Sequence, residues 1–310
     1  MPISTGAALA FVAAAAFSLK AIFVKLAYIY HVDAVTLLAL RMIFALPMLM
    51  AAAWWSSRQA PLRLTPRDWG ILFFLGFSGY YLSSLLDFLG LQYITAGLER
   101  LILFLYPTIV ALISAFLFGK KIGLRGVACL ILSYVGIAFA AAHDIDATGD
   151  LRSVLIGGSL IFGCTITYAI YIAGSGQVVG RLGATRFAAL ATMVACLCVV
   201  TQFLLTHDLA QLAQPWQVYA YAGLMATVST VLPIFLTTKA IQMIGAAQVS
   251  MIGAVGPIAT IFFGWSLLGE SVSVQQMIGA ALVLTGVMLV VRKPAPAGPP
   301  DSSGKTPGNA

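Results

Sequence analysis

The feature that most constrains this chain is a succession of apolar runs, each about 20 residues long, joined by short polar segments. A helix needs about 20 apolar residues to cross a hydrocarbon core ~30 Å thick. In lipid, only helices and closed barrels satisfy their own backbone hydrogen bonds. Ten runs can be read: 4–27, 34–55, 69–91, 95–118, 123–142, 153–173, 185–206, 216–238, 246–268 and 274–291. Only 9% of the 310 residues are charged, against about 25% in a soluble domain. The pattern predicts an all-α polytopic membrane protein with ten transmembrane helices, partnered first of all by the lipid bilayer.

The net charge of +7 does not point to nucleic acid, because the basic residues sit in short loops and form no face. The four cysteines, Cys129, Cys164, Cys196 and Cys198, lie inside apolar runs with neither redox nor zinc spacing. They read as small packing residues. His31, His143 and His207 read as loop residues far apart in sequence. There is no HExxH, no GxSxG elbow and no GxxxxGK[ST] loop. No metal, no cofactor and no enzymatic role is therefore expected, and no nucleotide motor is encoded.

Residues 90–137 align with 240–287 at an offset of 150 without a gap. Gln92 meets Gln242, Ala96 meets Ala246, Pro107 meets Pro257, Gly119 meets Gly269 and Gly136 meets Gly286. The offset is half the apolar part of the chain, so each repeat holds five helices. An odd number of spans inverts the second repeat, a plan found in secondary transporters. The expected units are residues 1–143, residues 150–293 and a Pro/Gly/Ser-rich disordered tail, 294–310. The first run lacks the basic start of a cleaved signal. Arg58, Arg63, Arg67, Lys120, Lys121, Arg125, Arg181, Arg186, Lys239, Arg292 and Lys293 fall on one side, with Arg152 the one basic loop residue on the other. Basic loops stay cytoplasmic, so both termini are expected there and the 143–152 loop outside.

Residues 257–290, "PIATIFFGWSLLGESVSVQQMIGAALVLTGVMLV", resemble the closing motif of the EamA branch of the drug/metabolite transporter superfamily. Residues 107–140, "PTIVALISAFLFGKKIGLRGVACLILSYVGIAFA", resemble a weaker copy. Lys120 stands where the second copy has Glu270; the inverted topology and helix-end capping account for both. The resemblance covers nearly the whole chain. It implies a bacterial inner-membrane transporter of small metabolites, and in size and plan it is similar to exporters of aromatic amino acids. It also implies a cavity lined by helices one, three, four, six, eight and nine, with five and ten packed to one side.

Several ionisable residues lie well inside the runs: Lys20, Arg41, Asp87, Glu99 and Arg100. A cation at mid-membrane costs about 2.5–3.5 kcal/mol on the insertion scale, so Lys20 is expected to pair with Asp87 or Glu99. Lys25, nearer its helix end, is expected to snorkel to the interface. The repeat equivalents of Lys20, Asp87 and Glu99 are Ile170, Thr237 and Val249. Tyr80, Ser83, Ser84 and Asp87 share one helical face by spacing, as do Thr230, Pro233, Ile234 and Thr237. The candidates for substrate contact are thus Lys20, Tyr80, Ser83, Asp87, Glu99, Tyr168, Thr230, Thr237 and Gln248. A structural ion pair and interhelical hydrogen bonding are the competing roles. Pro107, Pro233 and Pro257, with Gly253 and Gly256, are candidates for kinks or hinges. Mixed charges suit a zwitterion such as an amino acid, whereas a lipophilic cation would use Asp87 or Glu99 alone. A channel or an intramembrane enzyme would need a selectivity element or a catalytic constellation, and neither is visible.

Overall fold

The computed structural model describes residues 5–59, 64–118 and 124–291. The expected tail, Lys120 and Gly119 lie outside them. Every regular element among the described residues is a helix. The helices are α1 (Thr5–Tyr28), α2 (Ala34–Gln59), α3 (Pro66–Gly90), α4 (Ala96–Leu103, resuming as Tyr106–Phe118), α5 (Leu124–Thr148), α6 (Leu151–Leu182), α7 (Ala184–Thr206), α8 (Trp216–Ile244), α9 (Ala246–Gly253, resuming as Val255–Phe263) and α10 (Val274–Val291). Nine stretches among the described residues are long and apolar enough to cross a membrane. The tenth, Val274–Leu289, is shorter. This is the fold of a polytopic helical membrane protein. Its helices run past two of the sequence limits: α5 continues to Thr148, so His143 is helical, and α6 continues to Leu182.

The helix starts follow local chemistry. Thr65 caps α3, accepting from the Asp68 amide while the Asp68 carboxylate accepts from the Thr65 amide, with Pro66 in the first turn. Thr95 caps α4 by accepting from the Leu98 amide, and Asp150 caps α6 through the Arg152 amide. The exposed Asp150 carboxyl sits below the usual carboxylate range because Ser153 donates to it.

Two kinds of backbone irregularity recur at the offset of 150. A π turn occupies Phe77–Leu82 in α3, and another occupies Thr227–Val231 in α8. α4 breaks at Phe104–Leu105 and α9 at Ala254, each break followed within three residues by Pro107 or Pro257. Proline lacks the amide that would continue the ladder and is tolerated in a first turn, where amides are unpaired anyway. Each break is held by a hydroxyl from another helix. Thr165 of α6 shares its hydroxyl between the Ile161 carbonyl of its own helix at 2.8 Å and the Ile102 carbonyl at 3.3 Å, and Ser18 of α1 shares its own between the Ala14 carbonyl at 2.8 Å and the Gly256 carbonyl at 2.9 Å.

The packing crosses between the halves of the chain. α1 packs on α8 and α9, α6 packs on α3 and α4, α2 pairs with α7, and α5 pairs with α10. The α5–α10 contact is close because Gly136 and Gly279 face each other's backbone. α1 and α5 end, and α4 begins, where Lys25, Thr95, Ala96, Asp144 and Glu270 meet. That is the acidic end of the bundle. Gly6 of α1 meets Met243 and Ile244 of α8 at the basic end.

Candidate functional site

The centre of the bundle holds a charged cluster built from four helices. Lys20 of α1 places its Nζ 2.7 Å from Oδ2 of Asp87 on α3 and 3.4 Å from Oε1 of Glu99 on α4. Glu99 is fully buried and Asp87 nearly so, while the lysine side chain is 16% exposed. The lysine therefore takes both expected carboxylates, not one of them. Neither carboxylate receives a hydrogen bond from an amide or hydroxyl among the described residues. From α6, Cys164 places its Sγ 3.1 Å from Ser83 Oγ, within electrostatic reach of Lys20, Asp87 and Glu99.

Two arginines flank the cluster. Arg41 of α2 donates from Nε and Nη2 to Thr230 Oγ1, at 3.3 and 3.1 Å, and its guanidinium lies over the Phe88 ring. The hydroxyl of Thr230 in turn donates to the Met225 carbonyl five residues back, which the π turn leaves in reach. Arg100 of α4 leans on the backbone of Gly256. A Cβ there would sit 3.0 Å from Arg100 Nη2, so the glycine makes room for the guanidinium beside the α9 break. Arg41 Nη1 and Arg100 Nε are buried with no hydrogen-bond partner among the described residues.

An aromatic wall adjoins them. Tyr171 stacks against Phe187, meets Tyr80 edge to face at 5.0 Å, and donates its hydroxyl to that of Tyr80 at 3.3 Å. Tyr168 lies against Tyr171 and Tyr106. Gly79 in the α3 π turn is required here, because a Cβ would overlap the Tyr171 ring.

Lys20, Tyr80, Ser83, Asp87, Glu99, Tyr168 and Thr230 thus come together. Thr237 and Gln248 do not. Thr237 is seven residues, about 10 Å, further along α8 toward the basic end, and Gln248 is exposed near the start of α9. The π turns also shift the simple helical faces drawn from spacing in α3 and α8. Arg41, Arg100, Cys164 and Tyr171 belong to the cluster on equal terms. Intramembrane charge was the sequence signal for the arginines; no pattern marked Cys164.

The acidic end is laced together separately. Asp144 accepts from both the amide and hydroxyl of Thr95 at 2.8 Å, and Glu270 accepts from the Ala96 amide at 2.9 Å. Lys25 lies 4.0 Å from Glu270, so it faces a partner and does more than reach for the interface. Burial raises the Glu270 carboxyl above the usual range, opposed by the Ala96 amide and Lys25. A hollow of about 420 Å³ beside this end is lined by Lys25, Tyr28, His31, Asp33 and Gln92 among others. A second, apolar hollow of about 360 Å³ is lined by Ile258, Phe262, Trp265 and Met277 among others. Neither includes a member of the charged cluster; the first lies one to two helical turns from it along α1 and α3.

The comparisons with known proteins agree with this architecture. The family model of the EamA-like transporter family matches twice, at residues 4–142 and 155–292. The chain is 29% identical over 280 residues to "Uncharacterized transporter YcbK" of Bacillus subtilis, covering 87% of this chain and 88% of that one. It is 24% identical over 220 residues to "Uncharacterized transporter YyaM" of the same organism, covering 69% and 70%. A solved crystal structure shares the fold at a TM-score of 0.63 and 17% identity, covering 93% and 96% of the two chains. With two matches that together span most of its length, the chain belongs to the EamA-like transporter family.

Proposed function

We propose that this protein is a secondary transporter of the bacterial inner membrane that exports amino acids, aromatic or hydrophobic ones in particular, or related small metabolites by alternating access. The observation that carries the reading is the pair of buried guanidinium nitrogens without partners, Arg41 Nη1 and Arg100 Nε, beside a wall of tyrosines. Buried donors without acceptors are costly. A substrate carboxylate would satisfy both, an apolar side chain would lie on the tyrosines, and Asp87 and Glu99 would meet an ammonium group. A lipophilic cation fits less well, because it carries no carboxylate to satisfy the two partnerless arginine nitrogens.

Two inverted five-helix repeats, residues 1–143 and 150–293, are the scaffold of this reading. The doubled π turns, the doubled helix breaks and the exchange of partners between α1 and α6 support it. Pro107 and Pro257, with Gly253 and Gly256, then mark where the two halves bend during the cycle, and Pro233 marks the end of the second π turn. Basic loops put both termini in the cytoplasm and the acidic end outside. The hollow at the acidic end is the outer vestibule.

The test is flux through purified protein in liposomes, with a panel of aromatic, aliphatic and charged amino acids and a set of cationic dyes. Export of aromatic amino acids above the others is expected. Movement of dyes alone would replace the amino-acid reading. Reporter tags at residue 147 and at the C-terminus are expected on opposite sides of the membrane. Finding both on one side would end the inverted-repeat reading.

A further inference from the structure

The two arginines beside the charged cluster are held in different ways. Arg41 is fixed by two hydrogen bonds to Thr230. Arg100 is fixed by packing. Its Nε is buried without a partner among the described residues, and its guanidinium lies against the backbone of Gly256 on α9. A Cβ at Gly256 would stand 3.0 Å from Nη2, 3.4 Å from Nε and 3.7 Å from Cζ. Non-bonded heavy atoms are at their optimum about 3.5–4.0 Å apart. One methyl group would therefore crowd the end of the guanidinium and touch the rest of it.

The backbone itself does not ask for glycine at this place. Gly256 lies in the helical stretch Val255–Phe263, and it is not one of the glycines with positive φ. The first half of the chain makes the same point. The offset of 150 puts Tyr106 at the equivalent position, also directly before its proline, and the Tyr106 ring packs on Tyr168 at 5.4 Å. The position before a break proline thus accepts a large side chain in one half and carries none in the other. What the glycine answers to is Arg100.

The backbone at Gly256 is also pinned. Its carbonyl accepts from Ser18 of α1 at 2.9 Å and from Thr260 at 3.1 Å, and both side chains are buried. The buried Pro257 follows it. α9 has little freedom to retreat, so an added Cβ would displace the guanidinium and not the helix. Hydrogen bonds to a charged group depend on direction as well as distance, and a binding group must be held to within about 0.5 Å of its productive place.

We infer that Gly256 is a positioning residue: it sets where the Arg100 guanidinium lies, and thereby how well the site holds a substrate carboxylate. The inference rests on the export reading above for what Arg100 receives. Three helices meet in this device. Ser18 of α1 holds the Gly256 carbonyl on α9, and Gly256 in turn seats Arg100 of α4. Arg41 has Thr230 for the same purpose, with hydrogen bonds in place of packing. The second half of the chain therefore supplies the seat of both arginines, one by a side chain and one by the lack of one.

Two measurements on the full-length protein test this. The first needs no substrate. Melting temperatures in detergent are compared for wild type, Gly256→Ala, Arg100→Ala and the double variant. Gly256→Ala should lower the melting temperature beside Arg100 and leave it level or raise it beside Arg100→Ala, where the methyl group has space. If Gly256→Ala alone fails to fold, recovery in the double variant supports the contact. Equal shifts in both backgrounds overturn it. The second measurement is counterflow of labelled phenylalanine in liposomes. Gly256→Ala should raise the half-saturating concentration at least five-fold, with the maximal rate within two-fold of wild type. In the Arg100→Ala background the same substitution should change half-saturation less than two-fold. A merely structural role would weaken both backgrounds alike, and that result overturns the positioning. So does a Gly256→Ala protein with wild-type half-saturation. No movement of phenylalanine by wild type counts against the export reading, and the melting comparison then decides whether Gly256 places Arg100.

Discussion

The two halves of the chain share two kinds of backbone irregularity and differ in their chemistry; a third π turn, Gly264–Leu268, stands where the first half is α-helical. Residues 77–82 and 227–231 make π turns, and residues 104–105 and 254 break a helix, at matching places. Yet Lys20, Arg41, Asp87 and Glu99 stand opposite Ile170, Ala191, Thr237 and Val249. In the proposed cycle the backbone features would serve bending, which both halves need if each gates one side, and the charges would serve binding, which one central site does once. The first half's cluster is completed by the second: Thr230 holds Arg41, Gly256 accommodates Arg100, and Cys164 and Tyr168 close the side.

The sharpest break of this comparison removes the lysine. Lys20→Met leaves buried acid without its cation, an expected loss of about 3–5 kcal/mol, read as a fall in melting temperature in detergent. Adding Asp87→Asn or Glu99→Gln should recover much of it, since one buried acid fewer is left without its cation. Strict additivity in both double variants would mean the three groups are not coupled.

A smaller effect is expected at Arg41. Arg41→Met removes two hydrogen bonds to Thr230 and one of the two partnerless guanidinium nitrogens. Loss of a charged hydrogen bond is worth about 1.5–3 kcal/mol, so apparent substrate affinity should fall roughly ten- to hundred-fold. Unchanged affinity in counterflow would move the carboxylate away from Arg41. At the acidic end, Glu270→Ala strips the Ala96 amide of its acceptor at the start of α4. The expected cost is about 1 kcal/mol, the scale of a lost helix cap, whereas Glu270→Gln keeps an acceptor oxygen and should cost less. Equal losses would assign the effect to the Lys25 contact instead.

Much of this was legible in the sequence, for identifiable reasons. Apolar length dictated the helices, and the expense of charge in lipid dictated that Lys20, Asp87 and Glu99 meet, since they lie at one depth. Pro107 and Pro257 announced the helix breaks. The π turns were not legible: Pro233 follows the one at Thr227–Val231, but nothing in "FSGYYL" distinguishes that stretch from a regular helix. Nor did Glu270 reveal its partner. Its charge fits its end of the bundle, while its hydrogen bond crosses to another helix in the other half of the chain. The distance of Thr237 from the cluster was not legible for a related reason. A face drawn at 3.6 residues per turn carries it alongside Thr230, but spacing alone does not say how far along that face the charged cluster extends.

Thr237 therefore supplies the smallest and most discriminating expectation. It occupies the position equivalent to Asp87 but lies outside the charged cluster, about two helical turns beyond Thr230. If binding chemistry is confined to the site completed by the first half, Thr237→Val should change stability by less than about 0.5 kcal/mol, as substitutions away from special features do. It should leave substrate affinity at the wild-type value. Thr230→Val, by contrast, loses the acceptor for Arg41 and the donor to the Met225 carbonyl, and should lower affinity several-fold. If Thr237→Val also lowered affinity, the substrate would extend along α8 toward the basic end, and the second half would contribute binding groups beyond the ones that hold the arginines. The two threonines, seven residues apart on one helix, thus mark where the shared chemistry of the cluster stops.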